Sequence, residues 1–275
     1  LKDLPVRLEL VEVLPIQRDA LILHEEQLER LPVRLEHFGG VLVHCKQIEG
    51  GGGHLEGQTP VPDEVRQLVT FTFLPGRSAD ALELYRSEAL PLYRADEAML
   101  SFRAFREVES PVPLDLVIVR GFQGMAGMDA SNEGLREIAA AAGTSIGGLY
   151  GRIGALSSGH TDQFVEMLPD LGAGDPAASR LTAFIWYRTA PGAGADFERR
   201  LRRGVVSLEQ TWGVPSSTGR FLVSDGWDYL RILGFESLGA FQDYWTRMAA
   251  SQAGRGLDEL TAARREAVLA DLPDF

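Results

Sequence analysis

The histidines are the residues in this sequence that most directly offer acid–base or metal chemistry. Five are present, and no two lie four residues apart with an intervening acid, which is the spacing of a helical zinc site. Four occur in the first 54 residues, and the fifth, His160, follows a glycine-rich stretch and opens a predicted strand. We predict His160 as a catalytic residue, either a general base or a haem ligand. A histidine at the surface or at the edge of the core is the competing interpretation.

Aromatic residues and arginines on predicted strands offer a second kind of chemistry, the binding of a planar ligand. Trp186 and Tyr187 are neighbours on one strand, so their side chains point to opposite faces of the sheet. Arg103, Arg188 and Arg231 also fall on predicted strands, where a buried guanidinium needs an anionic or hydroxylated partner. We predict Arg188 as a second catalytic residue. The predicted substrate-binding residues are Trp186, Tyr187, Trp227, Tyr229, Arg103 and Tyr150. The alternative interpretation is that the aromatic residues belong to the core and the arginines are exposed to solvent.

The glycine-rich segment 147–154, which contains Tyr150, is the most unusual local composition in the chain. It lacks the lysine and the Ser/Thr of a phosphate-binding loop, and it follows no predicted strand directly. Tight helix packing or a mobile lid is therefore favoured over phosphate or dinucleotide binding.

Metal and nucleophile chemistry find little support elsewhere in the sequence. Cys45 is the only cysteine, so neither an intrachain disulfide nor a cysteine metal cluster can form, and no metal site is predicted. No G-x-S-x-G element is present.

The overall composition narrows the class of partner. The chain has 275 residues and a net charge of −12, a sign that repels nucleic acid. No run approaches the roughly 20 apolar residues of a membrane span, and no signal peptide is visible. We therefore expect a cytoplasmic protein that binds neither nucleic acid nor membrane.

Three short stretches occur twice, in the same order, and predict an internal repeat. Segment 75–80 recurs as 191–196, segment 115–123 as 228–236, and segment 168–171 as 272–275. The offsets are 116, 113 and 104 residues. An offset that shrinks along the chain is expected if loops shorten while core elements persist. We predict an N-terminal extension (1–64), a first repeat (65–171) and a second repeat (179–275).

Hydrophobic periodicity predicts the elements of each part. In the extension we predict strands 6–13 and 41–48 and a helix 19–31. The first repeat has predicted strands 66–74, 100–108, 114–122 and 163–168, with helices 79–93 and 132–142; the last helix is capped near Asn132. The second has predicted strands 181–189, 219–224 and 229–235, with helices 195–213, 238–250 and 257–269. The order β-α-β-β-α-β is that of a ferredoxin-like α+β unit, whose open sheet face a second unit can cover.

Two sequence features resemble the dimeric α+β barrel superfamily. One is an opening strand that ends in Pro-Gly before a helix, at 71–76 and 186–192. The other is the aromatic-Glu-Ser step within 234–241, with Trp245 following. Within the superfamily the sequence most resembles a tandem antibiotic biosynthesis monooxygenase-like protein. The NIPSNAP-like proteins are the next branch that it resembles. The resemblance implies two fused ferredoxin-like repeats that form one barrel, with a pocket between sheet and helices.

The same resemblance suggests an oxidative function in secondary metabolism. Members of the superfamily oxygenate aromatic polyketides without a metal, open quinone rings, isomerise lactones, bind haem or have no known activity. We expect a metal-free oxygenase that combines an aromatic polyketide-like phenol or quinone with dioxygen. Reduced flavin is an alternative reductant, which a flavin reductase would supply, and a homodimer is compatible with the fold. The alternatives are a non-catalytic ligand-binding or stress-related protein, and a haem enzyme that uses His160.

Overall fold

The structure is a computed structural model that describes residues 64–111, 113–272 and 275, together with the backbone of two short strands nearer the N-terminus. The chain divides into two units, Leu1–Gln58 and Thr59–Phe275. In the first unit, β1 (Leu35–Phe38) pairs antiparallel with β2 (Val41–His44). Strand β2 lies within the predicted strand 41–48. The predicted strand 6–13 and helix 19–31 lie outside the described residues.

The described residues of the second unit form eight strands, in two halves that have the same order of elements. The first half comprises β3 (Glu64–Phe73), α1 (Ser78–Leu84), α2 (Leu90–Arg94), β4 (Met99–Glu109), β5 (Leu116–Gln123), α3 (Gly124–Ala141), α4 (Ile146–Leu156) and β6 (Ser157–Met167). The second half comprises β7 (Leu181–Thr189), α5 (Gly194–Arg200), α6 (Val206–Trp212), β8 (Ser216–Val223), β9 (Tyr229–Phe235), α7 (Leu238–Ala250), α8 (Gln252–Asp258) and β10 (Thr261–Asp271).

The eight strands of this unit close into an antiparallel barrel. Their order around the barrel is β10-β4-β5-β3-β6-β8-β9-β7, and β7 pairs with β10 to complete the circle. Each half contributes four strands in the ferredoxin-like order, with its first strand between its third and its fourth. Pairing of β6 with β8 and of β10 with β4 joins the halves. Closure leaves none of these eight strands with an open edge.

Two details recur at equivalent positions of the halves. A π-helical turn, Tyr85–Ala89, joins α1 to α2, and another, Leu201–Val205, joins α5 to α6 at an offset of 116 residues. The Asp115 carboxylate accepts a 2.7 Å hydrogen bond from the backbone N–H that ends β3, and Asp228 accepts one of the same length at the end of β7. The sequence echo at 115 and 228 thus marks one structural role, the fixing of a strand end beside a helix.

Three packed cores stabilise this unit. One lies between the first-half strands and their helices, and another lies between the second-half strands and their helices. The third fills the barrel and includes Leu68, Phe105, Val117, Phe184 and Trp186 from strands of both halves. Because side chains alternate along each strand, these residues point away from the helices. The barrel interior is therefore a packed core.

The predictions and the structure differ in the segments that lead to or form the last strand of each half. The glycine-rich segment 146–159, for which we favoured tight helix packing or a mobile lid, forms α4 and the start of β6, and Ser145 caps the helix by accepting from the N–H of Gly148. Segment 257–269 was predicted as a helix, but most of it belongs to β10. Its Ala, Arg and Glu residues favour helix locally, and pairing with β7 and β4 overrides that preference. Asn132 lies inside α3 and caps nothing.

Within the described part of the chain, the helices are too short or too polar to cross a lipid bilayer.

Candidate functional site

Arg120 is a buried arginine on the helix-covered face of β5, and its hydrogen-bonding capacity is only partly used. The residue is 6% exposed. Its Nε donates a 2.9 Å hydrogen bond to Oε1 of Gln67, and its Nη2 donates to the same oxygen. Its Nη1 is buried and has no hydrogen-bond partner among the described residues. A buried guanidinium N–H without an acceptor is costly, so an additional oxygen acceptor would be bound favourably at this position.

Gln67 connects Arg120 to two polar residues of the next strand. It lies on β3 opposite Arg120, and its Nε2 donates a 2.7 Å hydrogen bond to Oδ1 of Asp162 on β6. Oδ2 of Asp162 lies 3.6 Å from Nε2 of His160. The strand order β5-β3-β6 therefore brings together residues that are far apart in the sequence, and their alternation places all of them on the helix-covered face.

Two tyrosines from the covering helices complete this group. The Arg120 guanidinium lies 5.2 Å from the ring centre of Tyr93 in α2, whose hydroxyl is 3.1 Å from the hydroxyl of Tyr150 in α4. Burial, with Tyr150 and Tyr85 nearby, raises the pKa of Tyr93 well above its ordinary value, so its hydroxyl stays protonated at neutral pH. We call this group the Arg120 cluster; its members are Gln67, Tyr93, Arg120, Tyr150, His160 and Asp162.

The charge on Arg120 persists despite its burial. Burial acts to lower the pKa of the guanidinium, but the oxygens around it, led by that of Tyr93, raise the pKa overall. Its hydrogen-bond acceptor, Gln67, is neutral, and none of the described carboxylates forms an ion pair with it. The cation is therefore held in place without a directly bonded carboxylate.

The Arg120 cluster changes from buried to exposed across its width. Gln67 is 8% exposed, whereas the side chains of His160 and Asp162 are 40% and 37% exposed. Tyr150 is 39% exposed. The cluster thus runs from the buried cation of Arg120, through Gln67 and Asp162, to the imidazole of His160 near solvent. A cation can stabilise an anion, and an imidazole can accept a proton.

His160 is poorly placed to be an axial haem ligand. Its ring stacks on Phe71 with ring centres 5.8 Å apart, and its Nε2 faces Asp162. Tyr85, Leu149 and Ile153 are buried in the adjoining core. With one ring face on Phe71 and its Nε2 towards Asp162, the imidazole does not fit an axial haem site. Among the described residues no group of three His, Cys, Asp or Glu side chains could hold a metal ion.

Three of the other predicted site residues meet at a different place. Trp186, Trp227 and Arg188 lie at one end of the barrel, where Arg265 of β10 joins them. The predicted opposite directions of Trp186 and Tyr187 agree with the structure, because Trp186 lies in the barrel core and Tyr187 in the second helix-side core.

The remaining predicted residues are engaged within the fold. The rings of Tyr187 and Tyr229 both pack against Phe197, and their centres lie 5.2 and 4.8 Å from the centre of its ring. The Tyr229 hydroxyl donates a 2.9 Å hydrogen bond to Glu198, and burial, with that carboxylate, raises its pKa to about 12. Arg103 forms an ion pair with Asp271. The eight predicted residues therefore do not form one site, and His160 and Tyr150 are the two that lie in the Arg120 cluster.

Sequence reasoning missed Arg120, Gln67, Tyr93 and Asp162. One signal was available: Arg120 is the single charged residue in the otherwise apolar run 116–122, the pattern of a charge forced into a core. The other three residues are ordinary in sequence. They become functional candidates only through the register that aligns β3, β5 and β6.

Comparisons with known proteins place the fold. No protein-family model matches the sequence, and neither does any curated protein. An anthrone oxidase-like protein of known structure has a TM-score of 0.56 and 12% identity, and the match covers 77% of this chain and 92% of that one. A candidate monooxygenase from Fusobacterium nucleatum subsp. nucleatum has a TM-score of 0.53 and 9% identity, covering 78% of this chain and 94% of that one.

A variant of chlorite dismutase from Candidatus Nitrospira defluvii gives a similar result. Its TM-score is 0.51 at 9% identity, and the match covers 75% of this chain and 91% of that one. These solved structures share the α+β barrel architecture of this chain. This chain has the dimeric α+β barrel fold. At such identities the likeness concerns the fold alone.

The two helix-covered faces of this α+β barrel differ in their buried charges. In the second half, Arg231 lies on β9 and its Nη2 is 2.6 Å from Glu209 of α6, with both side chains fully buried. Glu209 also accepts hydrogen bonds from Ser216 and Tyr244. Arg231 has an unpartnered Nη1 too, but its charge is neutralised inside the core. Among the described residues no carboxylate bonds directly to Arg120 of the first half, whereas Arg231 of the second half is paired with Glu209.

Proposed function

We propose that this protein is an oxygenase that uses dioxygen to oxidise a polycyclic phenol or an anthrone-like ketone, which it binds as an anion in the Arg120 cluster. The observation that carries the proposal is the buried Nη1 of Arg120, a charged donor without an acceptor. A phenolate oxygen supplies both the acceptor and the opposite charge. Two of the structural neighbours, a candidate monooxygenase and an anthrone oxidase-like protein, support oxidative chemistry.

Deprotonation of the substrate is the first step that these residues can assist. His160 lies where solvent meets the cluster, with Asp162 beside its Nε2 to orient and stabilise the imidazolium that forms. The Arg120 guanidinium and the protonated hydroxyl of Tyr93 stabilise the resulting oxyanion by hydrogen bonding in a partly water-excluded site. The anion is electron-rich, so it is itself the reductant.

The overall reaction balances without a further reductant. An anthrone-type CH₂ group reacts with O₂ to give C=O and H₂O. The carbon loses four electrons, which reduce both oxygen atoms; one atom remains in the product and the other leaves as water. The protein contributes the proton acceptor, the oxyanion stabilisation and the orientation of the ring. A metal-free reaction of this kind in aromatic polyketide metabolism is the form of the proposal that we favour.

We also propose that the barrel is a fusion of two ferredoxin-like repeats, residues 65–171 and 179–275, preceded by an extension over 1–64. Two features support this relationship. The two π-helical turns lie at equivalent positions of the halves, and the carboxylates of Asp115 and Asp228 accept matching hydrogen bonds. In this proposal the second repeat has become structural, because its buried arginine is neutralised by Glu209.

Oxygen uptake tests the enzymatic proposal. Purified protein is mixed with an anthrone under air, and oxygen consumption and the quinone product are followed with and without added reduced flavin. We expect uptake with the wild type, at least about 100-fold less with Arg120→Met, and unchanged uptake with Arg247→Met, whose guanidinium stacks on Trp212 outside the cluster. Uptake that requires flavin would overturn the flavin-free form. Saturable binding without uptake would favour the ligand-binding alternative.

A further inference from the structure

Four side chains form an arginine–tryptophan group at one end of the barrel, away from the Arg120 cluster. Trp186 and Arg188 are alternate residues on β7, so they point to the same face, which is that of the barrel interior. Arg265 on β10 lies opposite Trp186 in the strand register. Trp227 directly precedes β9 and packs against the interior core. The group therefore closes the apolar interior where β7, β9 and β10 come together.

The two guanidiniums of this group converge on one indole ring. Arg265 lies 4.1 Å from the ring centre of Trp186 and 5.4 Å from that of Trp227. Arg188 lies 5.4 Å from the ring centre of Trp227, and its Nε donates a 2.6 Å hydrogen bond to the carbonyl of Gly226. Trp186 is fixed in turn by its Nε1, which donates a 3.1 Å hydrogen bond to Gln163. Two cations are thus positioned on rigid strands around one aromatic wall.

Neither guanidinium is neutralised by an ion pair within the described part of the chain. The neighbouring Arg264 shows the contrast, because it points to the other face of β10 and pairs with Glu266 at 2.7 Å and with Asp258 at 3.3 Å. Arg265 instead has a buried Nε without a hydrogen-bond partner among the described residues. Burial lowers the pKa of Arg265, and only Asp225 opposes that effect. Two guanidiniums that contact the same indole without an ion pair favour the binding of an anion beside that ring.

We propose that the arginine–tryptophan group binds a small oxyanion, namely a carboxylate or a phosphate group, between Arg188 and Arg265. The planar guanidinium fork matches the oxygens of such a group, and the indole of Trp227 forms an apolar wall beside them. Arg265 and Trp227 are partly exposed, so an anion can reach them from solvent. Arg188, predicted from the sequence as catalytic, acts in this proposal as an anion-binding residue. The proposal does not depend on the oxidative function.

Anion titration tests this site directly. Inorganic phosphate and acetate are titrated in parallel, against chloride at matched ionic strength, while tryptophan fluorescence and the melting temperature are followed. We expect a saturable response to at least one of the two oxyanions and none to chloride. Response to phosphate alone identifies a phosphate-type ligand, and response to acetate identifies a carboxylate. A response to neither, or an equal response to all three salts, overturns the proposal.

Variants assign the response to the group. Arg265→Met and Arg188→Met should each weaken binding about tenfold or more, because each removes one charged fork. Arg265→Lys keeps the charge but loses the fork, and we expect it to retain the near-ultraviolet circular dichroism of the wild type while binding more weakly. Arg247→Met is the matched control, since Arg247 stacks 4.1 Å from Trp212 on an exposed helix surface. Equal weakening in Arg247→Met and Arg265→Met would overturn the assignment.

Discussion

The guanidinium of Arg120 and the carboxylate of Asp162 are joined by one side chain, the carboxamide of Gln67. The carboxamide oxygen accepts from Arg120, and its nitrogen donates to Asp162 at 2.7 Å. A glutamine can satisfy both partners at once only in this orientation, so the arrangement fixes which end faces which residue. It also keeps the cation and the carboxylate from neutralising each other directly. The proposed site depends on that separation, since the cation stays available to a bound anion.

Removing the proposed proton acceptor should slow oxidation without unfolding the protein. We expect His160→Gln to lower kcat by about 100-fold or more, because general base catalysis typically contributes that much. Added imidazole should restore part of the rate. Asp162→Asn should have a smaller effect, since the amide oxygen still accepts from Gln67 while the negative charge beside His160 is lost.

Stopped-flow oxygen consumption, with circular dichroism as the folding control, measures these effects. If His160→Gln kept the wild-type rate, His160 would have no part in the reaction, and the carboxylate of Asp162 would become the candidate base.

The buried ion pair of the second half should be essential for stability. Glu209→Gln leaves the Arg231 charge without a counter-ion at a position where both side chains are fully buried. We expect the free energy of unfolding to fall by about 3–5 kcal/mol, and the double variant Arg231→Met/Glu209→Gln to lose less than the sum of the two single variants. Urea denaturation measures all three. Additive losses would show that the pair is not coupled.

Glycines on the exposed face of α4 should be replaceable with a gain in stability. A Cβ atom added at Gly151 or Gly154 would meet no atom within 4 Å, and neither residue has a positive φ. Each change to alanine should therefore stabilise the fold by about 0.5–1 kcal/mol. Gly254→Ala is the contrasting variant, because its Cβ would lie 2.1 Å from the carbonyl oxygen of Met248. In thermal unfolding, the melting temperature should rise for the two α4 variants and fall for Gly254→Ala. A lower melting temperature in all three variants would contradict the placement of α4.

Alkaline titration should reveal delayed ionisation of the buried tyrosines. Burial, with the adjacent Glu198 carboxylate, raises the pKa of Tyr229 from 10.0 to about 12 in the folded protein. The folded state therefore holds this proton more tightly than the unfolded state. The stabilisation is fully present below pH 10 and is lost as the pH rises toward 12. Tyrosinate absorbance of native protein, compared with protein in urea, measures the delay. Superimposable titration curves would contradict the burial of these hydroxyls.

The order of elements in the barrel could be predicted because its strands are strongly apolar and its repeats share short motifs. Strands β7 and β9 have the predicted bounds, and helix α7 does as well. Strand β10 could not be predicted, because its Ala, Arg and Glu residues favour helix and only pairing with β7 and β4 makes it a strand. The glycine-rich sequence of α4 likewise gave no helix prediction, although this helix packs against the core through Leu149 and Ile153.

The candidate site was less predictable than the fold for a geometric reason. His160 and Tyr150 could be selected from the sequence as chemically capable residues. Their relation to Arg120 depends on the register between β3, β5 and β6, which a single sequence does not specify. A charge within an apolar strand was the visible signal of Arg120. The side chains that surround it, Gln67 above all, carry no such signal.

The absorbance spectrum of a bound polycyclic phenol tests the central claim most directly. At a pH below the pKa of the free phenol, the wild-type protein should bind it with the spectrum of the phenolate, because Arg120 stabilises the anion. Gln67→Glu places a carboxylate against Arg120 and removes the hydrogen bond that Gln67 donates to Asp162. It should abolish that spectral shift in protein that circular dichroism shows to be folded. A bound phenol that keeps its neutral spectrum in the wild type, or a phenolate spectrum that persists in Gln67→Glu, would contradict the account.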